Sequence, residues 1–276
     1  MKIKMKNNSI IIFIVIVIVI LFFSIYFGCS HQCYNKREGL TSKSNQPSSK
    51  TIELVISRYN EDLQWMKNEP FDDYPNIIIY NKGPNENFYR KPTSSIVNVK
   101  NVGRCDHTYL YHIIQNYDKL KDITVFLPGS ADMGFKIKQT TDLFNEIKKK
   151  NQAVFVNTRT FPETLREVYG DFQLDEWKAS DERNVSINSE SKLELSKYRP
   201  YGKWYDQYLK DNKAHTLSFY GIFSVAKEDI IQHPKSYYEN LIQDLSNSSN
   251  PEVGHYFERS WVAIFHPLKK TVLIPE

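Results

Sequence analysis

Short apolar runs recur along the chain from position 51 onward, and segments with helical spacing separate them. The runs at 51–57, 76–80, 123–127 and 153–156 are rich in β-branched and aromatic residues, as buried strands are. A helical stripe over 140–150 joins the last two of them. Strands that alternate with helices in this way predict an α/β fold, with a single Rossmann-like mixed sheet flanked by helices.

The most regular stretch is 96–134, where the pattern indicates strand, loop, helix, strand and loop. Leu110 and Ile113 belong to an apolar stripe on one helical face, and each loop contains a glycine. A helical crossover between parallel strands places the loops 101–104 and 129–132 at the same edge of a sheet, where α/β proteins bind ligands. The sequence therefore predicts a site at this edge.

The C-terminal half has a less regular pattern. The segment 161–213 is rich in charges and predicts an excursion from the sheet. The segment 217–226 is strand-like around Gly221, and helices should begin at Pro234 and Pro251, because apolar stripes with helical spacing follow both prolines.

The amino-terminal part differs from the rest of the chain. An apolar run that begins at position 10 is long enough, at about 1.5 Å per residue, to cross a bilayer core of about 30 Å. Lysines precede this run, which favours a cytosolic amino terminus and a lumenal or extracytoplasmic domain. The expected organisation is a short cytosolic tail (1–9), a transmembrane signal anchor (10–29), a flexible stem (30–50) and one α/β domain (51–276).

Composition and charge narrow the possible functions. The net charge is +4 and the lysines are scattered rather than gathered into a stripe, so nucleic-acid binding is not expected. Three cysteines cannot form a disulfide framework. Asn184 and Asn247 begin glycosylation sequons, which predict a glycoprotein if the domain is lumenal.

Five segments are spread over most of 53–265. Their sequences are SRYNEDLQWM, IYNKG, NVGRCDHTYLYHIIQNYDKLKDITVFLPG, GIFSVAKEDIIQHPKSYYENL and GHYFERSW. Together they resemble an uncharacterised family, the domain of unknown function 3431.

The order of these pieces is also similar to that of glycosyltransferases of the A-type fold. In those enzymes a first strand ends in a polar loop that meets the nucleotide, and an Asn-x-Gly loop precedes a helix. A hydrophobic strand then leads to an Asp that holds a metal, and an acidic residue followed by Arg comes later. The corresponding pieces here are Asn60–Asp62, Asn101–Arg104, Asp132, Gly221–Glu228 and Glu258–Arg259.

The resemblance implies a nucleotide-sugar as co-substrate. Gly103 would let the backbone approach a pyrophosphate, the helix start would add its dipole, and Arg104 would offer a planar fork of donors. Tight turns and helix caps explain the same residue types equally well. The candidate donor-binding residues are Arg58, Asn60, Asp62, Asn101, Gly103, Arg104 and Arg259.

Asp132 and Glu258 are the candidate catalytic residues. Asp132 would hold Mn²⁺ or Mg²⁺ against the leaving diphosphate, and Glu258 would take a proton from an acceptor hydroxyl. A-type enzymes usually carry Asp-x-Asp, whereas LPGSADMG contains one acid, so a metal site would also need His255, His266 or a second acid. A loop Asp that caps a turn and an ion pair at a helix margin are the structural alternatives.

These observations lead to three functional hypotheses. The first is a single-pass membrane-anchored glycosyltransferase that moves a sugar from a nucleotide-sugar to a glycan or protein acceptor. The second is a non-catalytic carbohydrate- or partner-binding module on the same fold, which the missing second acid favours. The third is a hydrolase that uses Asp132 and Glu258 as paired carboxylates.

Overall fold

A computed structural model of the protein describes residues 49–177 and 192–276. The predicted cytosolic tail, the signal anchor, most of the stem and the sequon at Asn184 lie outside these residues. Within them, no helix combines the length and the apolar character needed to cross a membrane. The second sequon begins at Asn247, which is exposed.

The described residues contain five strands that form the main sheet and three that form a smaller one. In chain order they are β1 (Ile52–Arg58), β2 (Ile77–Asn81), β3 (Ser95–Asn98), β4 (Ile123–Pro128), β5 (Val154–Thr160), β6 (Thr216–Leu217), β7 (Phe223–Ala226) and β8 (Val272–Pro275).

The main sheet has the order β3-β2-β1-β4-β7, in which the first four strands are parallel and β7 is antiparallel. The chain therefore winds outward from β1 to β3 and then returns to place β4 on the other side of β1. This reversal creates a switch point between β1 and β4, and open α/β sheets bind ligands beyond the carboxyl ends of the strands at such a point.

The prediction of a mixed α/β fold is confirmed, but the prediction of a single sheet is wrong, because β6, β5 and β8 form a second sheet. The two sheets meet through a side chain. Ser224 of β7 uses its Oγ to accept the Val154 N–H (2.7 Å) and to donate to the Val154 carbonyl (3.1 Å). The side chain thus takes the place of a backbone ladder between β7 and β5.

Helices cover both faces of the main sheet. They are α1 (Arg104–Asn116), α2 (Ile137–Lys150), α3 (Leu165–Val168), α4 (Tyr201–Tyr208), α5 (Lys227–Ile231), α6 (Lys235–Leu241) and α7 (Val253–Ile264). Single 3₁₀ turns lie at Gln64–Lys67, Tyr117–Lys119 and Ile242–Leu245.

Alternate side chains of β1 point into two separate hydrophobic clusters, as the two-residue period of a strand requires. Val55 packs in the cluster that contains Tyr109 of α1 and Trp261 of α7. Leu54 and Ile56 pack in the cluster on the other face, beneath α2. Because both faces of the sheet are covered, its carboxyl edge is the place left for a ligand.

Ser224→Ala should destabilise the fold by about 1–3 kcal/mol, because it leaves the buried Val154 N–H without its hydrogen-bond acceptor. Thr124→Val is the matched control. Thr124 lies on the neighbouring strand β4 and is fully buried, and its hydroxyl has no hydrogen-bond partner among the described residues. The valine should therefore be neutral or stabilising. Urea unfolding of both variants tests this difference, and equal losses would show that the Ser224 bonds contribute little.

Candidate functional site

A cavity of about 400 Å³ lies at the carboxyl edge of the main sheet, beside the switch point. Ser57 and Arg58 from the end of β1, Lys82 just after β2, and Ser130 just after β4 contribute to its wall. Helices α1 and α7 and the residue Trp177 complete the wall. The cavity therefore occupies the place that the strand order predicts for a ligand.

Arg58 is fully buried at the end of β1 and holds the surrounding loops together. Its guanidinium donates to Asn81 Oδ1 (2.6 Å), to the Asn85 carbonyl (2.7 Å) and to the Glu61 carbonyl (2.7 Å). It also lies over the ring of Phe88, 3.9 Å from the centroid. The buried Nη2 has no hydrogen-bond partner among the described residues.

Lys82 is a second buried cation of the wall. Its ammonium donates to the Val102 carbonyl (2.6 Å) and to the Arg104 carbonyl. These bonds fix a turn in which Gly103 and Arg104 both adopt left-handed backbone conformations, with φ of 55° and 49°. Burial lowers the pKa of Lys82 to about 8, which leaves the amine mostly protonated at neutral pH.

Arg104 begins α1 and spans the cavity towards α7. Its Nη2 donates to Asn250 Oδ1 (2.7 Å), and its guanidinium carbon lies 3.4 Å from the ring centroid of Trp177. Burial lowers the pKa of Arg104 to about 10, so it stays charged at neutral pH. A side chain at Gly254 would begin 3.3 Å from Arg104 Cδ, which explains why glycine stands where α7 passes this arginine.

Two acidic side chains, Asp106 and Glu258, face the same cavity. Asp106 Oδ1 accepts the Trp261 Nε1–H at 3.0 Å, and Glu258 Oε1 accepts the Tyr220 backbone N–H at 3.0 Å. Burial, and after it the charge of Glu258, raise the pKa of Asp106 to about 7, while the Trp261 hydrogen bond opposes the shift. Arg259 Nη1 lies 3.8 Å from Glu258 Oε2.

His255 is a further titratable group of this wall, and its side chain is buried. Its Nδ1 lies 3.9 Å from Glu258 Oε2, and its ring is 5.2 Å from that of Trp177. Burial, and after it the charges of Arg104 and Arg259, lower the pKa of His255 to about 3. The imidazole is therefore neutral at neutral pH and does not form a salt bridge with the carboxylate.

Glu61 is an acid of the wall that backbone amides hold in place. Its Oε2 accepts the N–H groups of Tyr59 (2.7 Å) and Asn60 (3.1 Å). A side chain at Gly129 would begin 2.8 Å from the Glu61 carboxyl, and Trp65 Nε1 donates to the Gly129 carbonyl at 2.9 Å. The loops after β1 and β4 are thus locked against each other at the switch point.

The structure brings some of the sequence-predicted residues together and leaves others apart. Five of them line the cavity: Arg58, Asn101, Arg104, His255 and Glu258. Six lie outside the wall: Asn60, Asp62, Gly103, Asp132, Arg259 and His266. Asp132 therefore does not line the cavity that Glu258 lines. The paired-carboxylate hydrolase would require both carboxylates in one cavity.

Several residues outside the wall have structural contacts of their own. Asp62 accepts the Gln64 N–H at 3.0 Å, which caps a turn. Arg259 donates to the His255 carbonyl (2.9 Å), and its guanidinium carbon lies 3.7 Å from the ring centroid of Phe172. These contacts position the wall rather than form it.

The metal that the glycosyltransferase resemblance implies does not fit the candidate ligands. His255 lies near the start of α7 and His266 lies past its end at Ile264, so about 13 Å of helix, at about 1.5 Å per residue, lies between them. Over residues 49–177 and 192–276, no group of three His, Cys, Asp or Glu side chains is placed to hold a metal ion. Asp132, His255 and His266 are therefore not gathered into one ligand group in the described part of the chain.

Sequence reasoning missed several wall residues, among them Lys82, Asp106, Trp177 and Asn250. Lys82 had a usable signal, since it follows a buried strand at the edge where ligands bind. Asp106 had a weaker signal, because an acid in the first turn of a helix is common for electrostatic reasons alone. Trp177 and Asn250 belong to irregular segments, where spacing gives no direction to a side chain.

Comparison with known proteins places the chain in a family. Neither a curated protein nor a solved structure matches it significantly. The family described as Protein of unknown function (DUF3431) matches residues 54–275, a range that contains every wall residue of the cavity. This chain therefore belongs to the DUF3431 family.

Proposed function

We propose that this protein is a glycosyltransferase that moves a sugar from a nucleotide-sugar donor to a glycan or protein acceptor. The proposal includes a glycosyltransferase-A-like form of the mixed sheet and a membrane anchor at 10–29. It also places the amino terminus in the cytosol and the domain in a lumenal or extracytoplasmic space. The observation that carries the proposal is the convergence of three cationic side chains on one cavity at the switch point of the sheet.

The cations come from the ends of three neighbouring strands. Arg58 ends β1, Lys82 follows β2, and Arg104 follows the loop after β3. Buried cations disfavour a neutral ligand and stabilise an anionic one, because their desolvation is offset by a bound negative charge. Arg58 adds an Nη2 that lacks a partner among the described residues. A diphosphate, with its charge spread over several oxygens, is the ligand that suits such an array.

Glu258 supplies the acid–base chemistry that sugar transfer requires. Its carboxylate takes the proton of an acceptor hydroxyl, whose oxygen forms a bond to the anomeric carbon of the donor. The bond between that carbon and the diphosphate oxygen breaks, and the diphosphate leaves with the electron pair. Arg58, Lys82 and Arg104 stabilise the charge that develops on the leaving group, as preorganised donors do in other transferases.

A non-catalytic carbohydrate- or partner-binding module on the same fold is the second candidate. The described residues lack a three-residue metal-ligand group, and this favours the module over a metal-dependent enzyme. The module would keep a ligand at the cavity without turnover.

Ligand-induced thermal stabilisation of the full chain separates these candidates. UDP, GDP, CDP and ADP are tested one at a time, first with EDTA and then with Mn²⁺. A nucleotide at about 100 times its dissociation constant should stabilise the fold by about 2.7 kcal/mol. Stabilisation with EDTA fits a site in which side-chain cations hold the diphosphate. No stabilisation by any nucleotide would contradict the transferase, and glycan arrays would then test the binding module.

Arg104→Met should weaken binding of the active nucleotide about 10- to 100-fold, because it removes charge-assisted hydrogen bonds to the diphosphate. Arg166→Met is the matched control. Arg166 lies on α3 and pairs with Asp206 at the surface, away from the cavity wall, so its loss should leave the affinity unchanged. Titration calorimetry gives both dissociation constants. Equal affinities of the two variants for the nucleotide would show that Arg104 does not contribute to the donor site.

A further inference from the structure

We infer that Phe135 and Tyr220 form the acceptor subsite of the cavity and that they hold a sugar ring of a carbohydrate acceptor next to Glu258. This inference rests on the proposed function, which it extends from the donor to the acceptor. Both side chains belong to the wall of the cavity. Their exposed fractions are 50 % and 37 %.

The exposure of this pair needs an explanation. Among the described residues, six large apolar side chains are exposed, and Phe135 and Tyr220 are the aromatic ones. The two rings are neighbours, with centroids 5.3 Å apart and planes inclined at 57°. Two inclined aromatic rings in the wall of the cavity offer apolar area to a ligand that enters it.

The backbone beneath Tyr220 is strained and firmly held. Tyr220 has a φ of 71°, which an aromatic residue rarely adopts, and Gly221 follows with a φ of 63°. Gln139 of α2 donates to the Phe219 carbonyl (3.0 Å), and Tyr109 of α1 donates to the Gly221 carbonyl (2.8 Å). Two helices thus stabilise a turn that presents an aromatic ring to solvent, and such retained strain is characteristic of binding sites.

The turn also connects the aromatic pair to the proposed base. The Tyr220 N–H donates to Glu258 Oε1 at 3.0 Å, so the residue that bears the ring also orients the carboxylate. Beside Phe135, Lys136 Nζ donates to Ser130 Oγ at 2.9 Å, and both of these residues line the cavity. Polar groups therefore border the rings.

A carbohydrate ring matches these features better than a purely apolar or purely charged ligand does. A sugar presents C–H groups on its faces, which pack on aromatic rings, and hydroxyls around its rim, which bond to polar side chains. The same sugar would direct a hydroxyl towards Glu258. The donor nucleotide would occupy the part of the cavity that Arg58, Lys82 and Arg104 surround.

The test compares the full-length protein with Phe135→Ala, Tyr220→Asn and the double variant. Asparagine is chosen because it tolerates the left-handed backbone at position 220. Ile231→Ala is the control, since Ile231 is exposed on α5 and is not part of the cavity wall. The protein is kept in a zwitterionic detergent that has no sugar head group. The probes are glucose, galactose, mannose and N-acetylglucosamine, each followed by saturation-transfer NMR, and the nucleoside diphosphates followed by calorimetry.

We expect at least one sugar to receive saturation from the natural protein and from Ile231→Ala. The double variant should weaken this binding about tenfold or more, while the affinity for nucleoside diphosphate stays the same within about a factor of two. A loss of nucleotide affinity in the double variant would overturn the inference, because the rings would then hold the donor base. Sugar binding that survives both substitutions would overturn it as well.

The outcome separates this inference from the proposed function. If the natural protein binds no nucleotide but binds a sugar through the pair, the transferase fails and the aromatic subsite stands. If it binds a nucleotide but no sugar, the subsite fails and the donor site stands.

Discussion

Asp106→Asn should make the protein more stable than the natural sequence at pH 8, by up to about 4 kcal/mol. The pKa of Asp106 is raised from 3.8 to about 7, first by burial and then by the charge of Glu258. Each pKa unit corresponds to about 1.4 kcal/mol between the two protonation states. Asparagine keeps an oxygen that accepts the Trp261 Nε1–H, so the variant removes the ionisable group while it preserves the hydrogen bond.

The direction of the pH dependence follows from the raised pKa. Protonated Asp106 favours the folded state, and this contribution is complete below about pH 4, where the unfolded chain is also protonated. It is lost as the pH rises from about 4 through about 7. Over this range Asp106 ionises in the unfolded chain but stays protonated in the folded one. The stability difference between Asp106→Asn and the natural protein should therefore grow from about pH 4 to about pH 7 and then level off.

Other buried groups titrate nearby, which is why the difference between two proteins is measured. Burial lowers the pKa of His107 to about 4 and that of His255 to about 3, so both reduce stability as the pH falls below 6.5. Lys82, whose pKa is lowered to about 8, makes the free energy of unfolding depend on pH above neutral pH. These contributions are common to both proteins and cancel in the difference, except where they interact directly with Asp106.

Urea unfolding between pH 4.5 and 8.5 measures this difference. Asp118→Asn is the control, because Asp118 is exposed and its replacement should change the free energy of unfolding only a little. A flat curve for Asp106→Asn as well would show that Asp106 ionises in the fold as easily as in the unfolded chain.

Glu258→Gln should lower the rate of sugar transfer by about 10²- to 10⁴-fold, the usual effect of removing a general base. The amide oxygen of glutamine still accepts the Tyr220 N–H, so the fold and the affinity for nucleoside diphosphate should change little. Turnover is followed by the release of nucleoside diphosphate from its sugar conjugate, with glycans or water as acceptor. Glu239→Gln, at an exposed position of α6, is the control and should keep full activity.

A second readout of Glu258→Gln does not depend on turnover. Because the charge of Glu258 raises the pKa of Asp106, removal of that charge should lower the pKa of Asp106. The free energy of unfolding is compared between Glu258→Gln and the double variant that carries both Glu258→Gln and Asp106→Asn. The pH range over which this difference grows should lie lower than it does with Glu258 present. A rate that falls without this shift to lower pH would mean that the two carboxyls do not interact. A rate that stays normal would exclude Glu258 as the base.

The sequence was a good guide wherever one physical signal dominates. The first strand, the strand before Pro128 and the central helix were predicted because buried β-branched runs and a helical stripe leave few alternatives. Their observed limits are Ile52–Arg58, Ile123–Pro128 and Arg104–Asn116. The two loops at one sheet edge followed from the same pattern, since parallel strands place their ends together.

The sequence was a poor guide where tertiary contacts decide. The segment 217–226 looks like one strand but contains two, because the left-handed residues Tyr220 and Gly221 separate β6 from β7. Strand β8 is a short apolar stretch, Val272–Pro275, whose residues alternate between partly buried and exposed, so none of them is fully buried in the core. The junction between the two sheets uses Ser224, a small polar residue whose role becomes visible only when Val154 lies beside it.

The same limit applies to the site. The sequence shows that Asp132 follows a buried strand. It does not show that the Glu61 carboxyl packs against Gly129, at the start of the same loop. Likewise, an acid in the first turn of a helix suits the helix dipole, but the sequence does not show that Asp106 is buried against Trp261 with a raised pKa. Loop side chains take their direction from distant partners, which no local spacing encodes.

The packing of α7 against α1 makes the cavity a property of the whole folded chain. Glu258 and His255 belong to α7, whereas Arg104 and Asp106 belong to α1, and the Trp261–Asp106 hydrogen bond joins the two helices. If the two helices separate, the wall splits even though each side chain remains on its own helix. Any influence that loosens this helix pair would therefore switch ligand binding off from a distance, and any ligand that bridges it would act as a clamp on the fold.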